Sequence, residues 1–288
     1  MDMKDKREQE GVTCKKCGNG GHYWLRSLYQ WKCKGCGFRT TLRSGTVMHD
    51  SKLPLRTWYM CMALMSMTKK PMSAHEMRRQ LSMKRYEPVW LMMRKIRRAM
   101  GQRDERYRLI DMVEMDEAYF TTATPSGTKL KRGKGSQRKQ DVMVMAESVP
   151  LEDLKTGKKS RYCRFFKMKV LKKGDAHSVN GTVQESIDEK TLVFSDKAKS
   201  YVDIAQFVEG HVSVLSSKEA TNDTLRWVHT AISNAKRTLL GIYHVIRGEN
   251  LQLYLDEFCY KLNRRYFGER LFDRVAIAVA SSRFIQAD

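Results

Sequence analysis

Two cysteine pairs, Cys14-Lys15-Lys16-Cys17 and Cys33-Lys34-Gly35-Cys36, stand fifteen residues apart near the start of the chain. Two intervening residues let both thiolates of a pair reach one tetrahedral ion, and this spacing is that of a two-knuckle structural zinc site. Gly18 and Gly37 follow the pairs, where a tight turn needs positive φ. So short a segment cannot bury a core, and bound metal would supply its folding free energy. Cys14, Cys17, Cys33 and Cys36 are therefore expected to hold one structural Zn2+ in a ribbon over residues 11–45. Four thiolates leave no open coordination position, so His22 is not needed as a ligand. Cys61, Cys163 and Cys259 are isolated in apolar settings and read as small buried hydrophobes. The opening MDMKDKREQE is charged with no apolar stretch behind it, which argues against export and for metal rather than disulfides.

The formal charge of +22, from 54 Lys and Arg against 32 Asp and Glu, narrows the partner. A folded chain with that imbalance repels itself unless a polyanion neutralises it, and nucleic acid is the partner expected. With 41% hydrophobic residues the chain can build a packed core. No apolar run approaches the roughly 20 residues that span a bilayer. In the ribbon, Lys15, Lys16, Arg26, Lys32, Lys34, Arg39 and Arg43 alternate with Tyr23, Trp24, Tyr29, Trp31 and Phe38. Those aromatics fit either a small ribbon core or nucleic-acid contact.

Residues 1–10 read as a polar tail and residues 53–105 as a helical segment. Pro54 suits a first helical turn, and Ser73 with Glu76 three residues on reads as a helix start. A helix through Val89–Met100 then carries Arg94, Arg97 and Arg98. Helix, turn, helix with a basic face suggests a helix-turn-helix-like DNA-binding unit. From residue 109 to 270 short strands alternate with helical patterns. Strands are expected at Met112–Phe120, Val142–Glu147, Arg161–Val170, Thr191–Phe194 and Val212–Leu215. Helices are expected near Ala176–Ile187, Val228–Val245 and Leu251–Tyr266. Residues 271–288 read as a C-terminal tail. The fold class is α/β, without the glycine-rich phosphate loop of a dinucleotide-binding fold.

In so basic a chain, acids inside hydrophobic strands need a reason. Alternation puts Glu114 and Asp116 on one strand face and Glu117 on the other. Asp196 ends a second strand, and Asn234 lies on a predicted helix. These three oxygen donors, Asp116, Asp196 and Asn234, can converge on two Mg2+ ions suited to phosphodiester chemistry. His229 fits either proton transfer, DNA contact or helix packing. Asp256 and Glu257 are expected to pair with Arg264 or Arg265. The loop Lys129–Lys139, with Lys131, Arg132 and Lys134 among its six basic residues, suits a phosphate-contacting arm but lacks a P-loop.

Several motifs in shared order resemble those of the IS1595 (ISXO2-like) group of insertion-sequence transposases. They are the cysteine pairs, Arg43-Ser44-Gly45-Thr46-Val47 through Leu53-Pro54-Leu55-Arg56-Thr57-Trp58, Met115-Asp116-Glu117-Ala118-Tyr119, Phe194-Ser195-Asp196, His229-Thr230-x-Ile232-Ser233-Asn234-x-Lys236, and Tyr254-Leu255-Asp256-Glu257-Phe258 with Asn263-Arg264-Arg265. The resemblance implies an RNase H-like catalytic core with an Asp-Asp-Asn-Lys variant of the DDE triad. It makes Asp116, Asp196 and Asn234 ligands of Mg2+ or Mn2+, and Lys236 the accompanying basic residue. It further implies strand cleavage and transfer at element ends, double-stranded DNA as substrate, a homodimer or larger assembly, and a bacterial, cytoplasmic, nucleoid-associated protein. A non-enzymatic zinc-ribbon regulator, a nuclease without strand transfer, and a transposase that has kept only binding are the rival expectations. The first leaves Asp116 and Asp196 unexplained.

Overall fold

The computed structural model describes residues 3–124, 127, 136, 138–152, 157, 159–214 and 224–283. The chain divides into two units, residues 104–266 and a second made of 1–103 together with 267–288.

In the first of these units a five-stranded sheet forms because β-branched, Met and aromatic residues alternate along each strand. The strands are β4 (Met112–Thr121), β5 (Lys139–Glu152), β6 (Lys159–Val170), β7 (Leu192–Asp196) and β8 (Gly210–Val214). They lie in the order β6-β5-β4-β7-β8. The first three make an antiparallel meander, and β7 and β8 run parallel to β4. A parallel neighbour needs a crossover, supplied here by α5 (Ala176–Ser186). Two helices, α6 (Arg226–Tyr243) and α7 (Gly248–Asn263), follow the sheet.

Alternation divides β4 between two cores. Ala118 and Phe120 pack with Val142, Val144 and Ala146 beneath Val228, Ala231, Ile232 and Ala235 of α6 and Leu251 and Leu255 of α7. Val113 and Met115 pack on the other face with Met143, Met145 and Val193 against Val179 and Val183 of α5. Near the end of α7 the partner found for Arg264 is Asp104, at 2.6 Å, rather than the nearby Asp256 or Glu257 expected from helix spacing. Asp256 accepts from Gln252 Nε2 at 2.8 Å.

The second unit holds a three-stranded antiparallel sheet of β1 (His22–Leu25), β2 (Gln30–Cys33) and β3 (Arg39–Thr41). Residues expected as tails are structured here. The first ten contain α1 (Met3–Gln9), whose Met3 is buried and whose Glu8 accepts from Trp31 Nε1 at 3.0 Å. Residues 271–288 contain α8 (Leu271–Ala280), which packs against α1 and α2 (Leu55–Met67). Leu271, Val275, Ala278 and Val279 give it a buried stripe at helical spacing. Ser282 Oγ then accepts from the Val47 N–H at 3.1 Å.

Ser73 caps α3 (Ala74–Gln80) as expected, accepting from the Glu76 N–H at 3.2 Å. The Glu76 side chain turns instead to Arg79, at 2.6 Å. In α4 (Glu87–Asp104), Arg94 and Arg98 are partly exposed, but Arg97 is 2% exposed. Arg97 therefore does not belong to a solvent-facing basic surface. It stands one turn past Met93 on the stripe shared by Met93, Ile96 and Met100, all fully buried. Lys131, Arg132 and Lys134 lie outside the described residues.

Candidate active site

Asp116 and Asp196 meet because of register. The last paired residues of β4 and β7 are Met115 and Ser195, so the next step along two parallel strands sets Asp116 beside Asp196. Adjacent strands lie about 4.8 Å apart. Val193 faces α5, so alternation along β7 turns Asp196 to the opposite face. Even-numbered positions of β4 face α6, and the two carboxylates thus share one side of the sheet.

Their proximity is expressed in charge. Burial, and then the Asp196 carboxylate, push Asp116 up to about 6, against the pull of His229 and of the Glu117 N–H. That N–H donates to Asp116 Oδ1 at 2.8 Å. Asp116 Oδ2 stands 3.9 Å from His229 Nε2 on α6. Asp196 Oδ1 accepts from the Ala198 N–H at 3.2 Å. Two neighbouring carboxylates can hold a divalent cation, and the like charge that burial makes costly is what such an ion would neutralise.

The helix carrying His229 is held to the strand carrying Asp116 by Glu114. Its buried Oε2 accepts from the Trp227 N–H at 2.7 Å and from the Val228 N–H at 3.2 Å. These are first-turn donors that no α6 residue satisfies, since Leu225 at the cap position provides no side-chain hydrogen bond. A carboxylate there also complements the helix dipole. Sequence reasoning placed Glu114 on the Asp116 face but missed this role. The only available signal was an acid two residues before Asp116 in an otherwise apolar strand.

The remaining expected site residues are also on α6. Asn234 lies five residues beyond His229, about 7.5 Å along the axis and about 140° around it. It is partly buried, and its Oδ1 accepts from Arg237 Nη2 at 3.3 Å. Lys236 comes seven residues after His229, almost two full turns, and returns to the same helix face. It is exposed, and its Nζ lies 5.7 Å from the centroid of the Phe120 ring on β4. The geometry therefore brings Asp196 and His229 each beside Asp116, with Lys236 farther along α6. Glu117 turns to the opposite face, as alternation required, and accepts from Ser200 Oγ at 2.7 Å.

In the other unit the four cysteines cluster. Cys14 and Cys36 sulfurs lie 3.5 Å apart, as do those of Cys17 and Cys33, and all four fall within 4.8 Å of one another. Zn–S bonds of ~2.3 Å would set sulfurs about 3.8 Å apart in a tetrahedron. Gly18 and Gly37 both have φ of +70° and donate their N–H groups to Cys14 O and Cys33 O at 2.8 and 3.0 Å. Crowding separates the thiols. Burial pushes Cys14 up, but the Cys17 and Lys16 N–H groups bring it down to about 7. The Asn19 N–H lowers Cys17, yet the neighbouring thiols drive it up to about 12. A bound dication removes that conflict, so the cluster can hold zinc.

The family model for the ISXO2-like transposase domain matches residues 108–263. Among solved structures, the chain is similar to the Mos1 mariner paired end complex with Mn at 13% identity, over 72% of this chain and 73% of that one, with a TM-score of 0.31. It is similar to a pre-cleavage Mos1 transpososome at 10% identity over 74% and 75%, with a TM-score of 0.27. The Mos1 strand transfer complex aligns at 12% identity over 82% of each chain, with a TM-score of 0.27. No curated protein matches the chain.

Proposed function

This chain belongs to the ISXO2-like transposase family, and we propose that it cleaves and joins DNA strands at the ends of an insertion sequence in a reaction that needs Mg2+ or Mn2+. The observation that carries this reading is the placement of Asp116 and Asp196 on neighbouring parallel strands beneath one helix. An antiparallel three-strand meander followed by two strands parallel to its first member supports an RNase H-like core. All-oxygen donors suit hard divalent ions.

Asp116 and Asp196 would hold the catalytic ions, with Asn234 supplying a neutral oxygen once Arg237 releases it. Bound there, the ions would activate the attacking oxygen and stabilise the leaving one. The exposed Lys236 would meet a DNA phosphate. Water attacks the phosphodiester at an element end and the P–O3′ bond breaks, freeing a 3′-hydroxyl. That hydroxyl then attacks a target phosphodiester, displacing the target's own 3′-oxygen. Residues 109–270 would form the catalytic domain. The ribbon, with Zn2+ on Cys14, Cys17, Cys33 and Cys36, and the helical segment 53–105 would grip double-stranded DNA, Arg94 and Arg98 serving as phosphate contacts. Lys131, Arg132 and Lys134 would add a further basic arm. Two ends must be held together, so a dimer or larger assembly on DNA is part of the proposal.

The test is incubation with supercoiled plasmid carrying element ends and Mg2+. Nicking and integrated product are expected from the natural protein. Asp116→Asn and Asp196→Asn should bind DNA normally yet lose about 10²–10³-fold in rate, an order typical of removing a key transition-state contact. Undiminished cleavage by both variants would place the chemistry elsewhere. Cleavage without integration would mark a simple nuclease, and binding alone a regulator or a transposase that has lost its chemistry.

A further inference from the structure

We propose that His229 is a direct ligand, through Nε2, of the divalent ion held by Asp116. The inference rests on the metal-dependent reading above and adds a nitrogen to its oxygen donors.

Three observations converge. Asp116 Oδ1 is occupied by the Glu117 N–H at 2.8 Å, so Oδ2 is the oxygen turned toward His229. His229 Nε2 is buried and makes no hydrogen bond among the described residues, although 43% of its side chain is exposed. The ring thus buries Nε2 against the carboxylate while much of its remaining surface meets solvent. A buried imidazole nitrogen without a partner is costly to keep.

The third observation is the gap itself. At 3.9 Å, Nε2 and Oδ2 are too far apart for a hydrogen bond. Two ligand atoms each bonded at ~2.1 Å to one ion lie about 3.0 Å apart at right angles and about 4.2 Å apart in line. The measured separation lies a few tenths of an ångström short of the in-line value, so a small side-chain adjustment lets one ion bridge the two groups.

The backbone that carries His229 is also well fixed. Glu114 binds the N–H groups of Trp227 and Val228 immediately before His229. Strand and helix are therefore tied together within two residues of those that supply the two ligand atoms. An imidazole among carboxylates shifts preference from Mg2+ toward Mn2+, which accepts nitrogen more readily.

The experiment uses the full zinc-loaded chain and Mn2+ as the probe. Electron paramagnetic resonance titration gives the affinity, and electron spin-echo envelope modulation detects nitrogen bonded to the bound Mn2+. The natural protein should show 14N modulation that changes to the 15N pattern when its histidines are 15N-labelled. His229→Gln should abolish the modulation and weaken Mn2+ binding by roughly tenfold, the lower end expected for disturbing a metal's ligand shell. Bound Mn2+ that depends on Asp116 but shows no histidine nitrogen would overturn the proposal and leave a plain His–Asp ion pair. Modulation that persists in His229→Gln would also overturn it. Binding unaffected by Asp116→Asn would remove the underlying metal site together with this inference. Should His229→Gln fail to fold, the labelled natural protein still decides whether histidine nitrogen reaches the ion.

Discussion

The cysteine ribbon and the five-stranded sheet both hold short strands in register, but by different means. The ribbon's strands have four, four and three residues, and the buried apolar side chains on them are Trp31 and Cys33. The sheet has strands of up to 14 residues and an apolar core on each face. One region has almost no core of its own and brings four sulfurs to a point. The other has core to spare and can carry carboxylates on a strand face under a helix. Metal in the first would create the fold, whereas metal in the second would use a fold that already exists.

That contrast can be broken most forcefully by removing zinc. Chelation, or Cys14→Ser with Cys17→Ser, should unfold residues 11–45, because structural zinc contributes on the order of 10–16 kcal/mol to such segments. Amide resonances of β4 and β5 should hold their positions. Collapse of both regions together would show that the sheet depends on the ribbon.

A smaller effect is expected at the joint between strand and helix. Glu114→Ala leaves the Trp227 and Val228 N–H groups without their acceptor and opens a cavity beside Val228. It should lower unfolding free energy by about 2–4 kcal/mol in urea titration. Protection of α6 amides against hydrogen exchange should fall first. A change within about 0.5 kcal/mol would mean that α6 docks through its apolar face alone.

The smallest effect concerns charge on α4. Replacing Arg94 and Arg98 with Glu should weaken DNA binding and reduce the salt slope by about 2, with stability nearly unchanged. Arg97→Gln should behave differently, destabilising the helix rather than changing the slope, because its side chain is buried. Identical salt responses from the two experiments would contradict that division.

How much of this was legible depended on the range of the interaction. The cysteine cluster was readable because its ligands are paired within four residues and the knuckle glycines mark the turns. The three long strands and the facing of Asp116 against Glu117 followed from residue type and alternation, which are local properties, whereas the order in which the strands pair did not. Glu114 was half legible, since its face followed from alternation, but its partners lie more than a hundred residues away. The helix α8 carried a visible apolar stripe, yet nothing local says it packs on α1 and α2 near the other end of the chain. Arg97 was misjudged by counting charge along α4 without asking which angular position each arginine occupies. Arg264 was misjudged in the same spirit, since proximity on one helix suggested Asp256 or Glu257 and the fold offers Asp104. Asn234 shares the helix of His229, but position on a helix alone does not decide which oxygen an ion takes.

The central claim is that Asp116 and Asp196 hold a divalent ion together. Crystals of the zinc-loaded protein soaked in Mn2+ and measured at the manganese edge test it most directly. The account predicts an anomalous peak within bonding distance of both carboxylates, lost in Asp116→Asn crystals. Manganese bound only elsewhere, with Asp116 and Asp196 both bare, would contradict it.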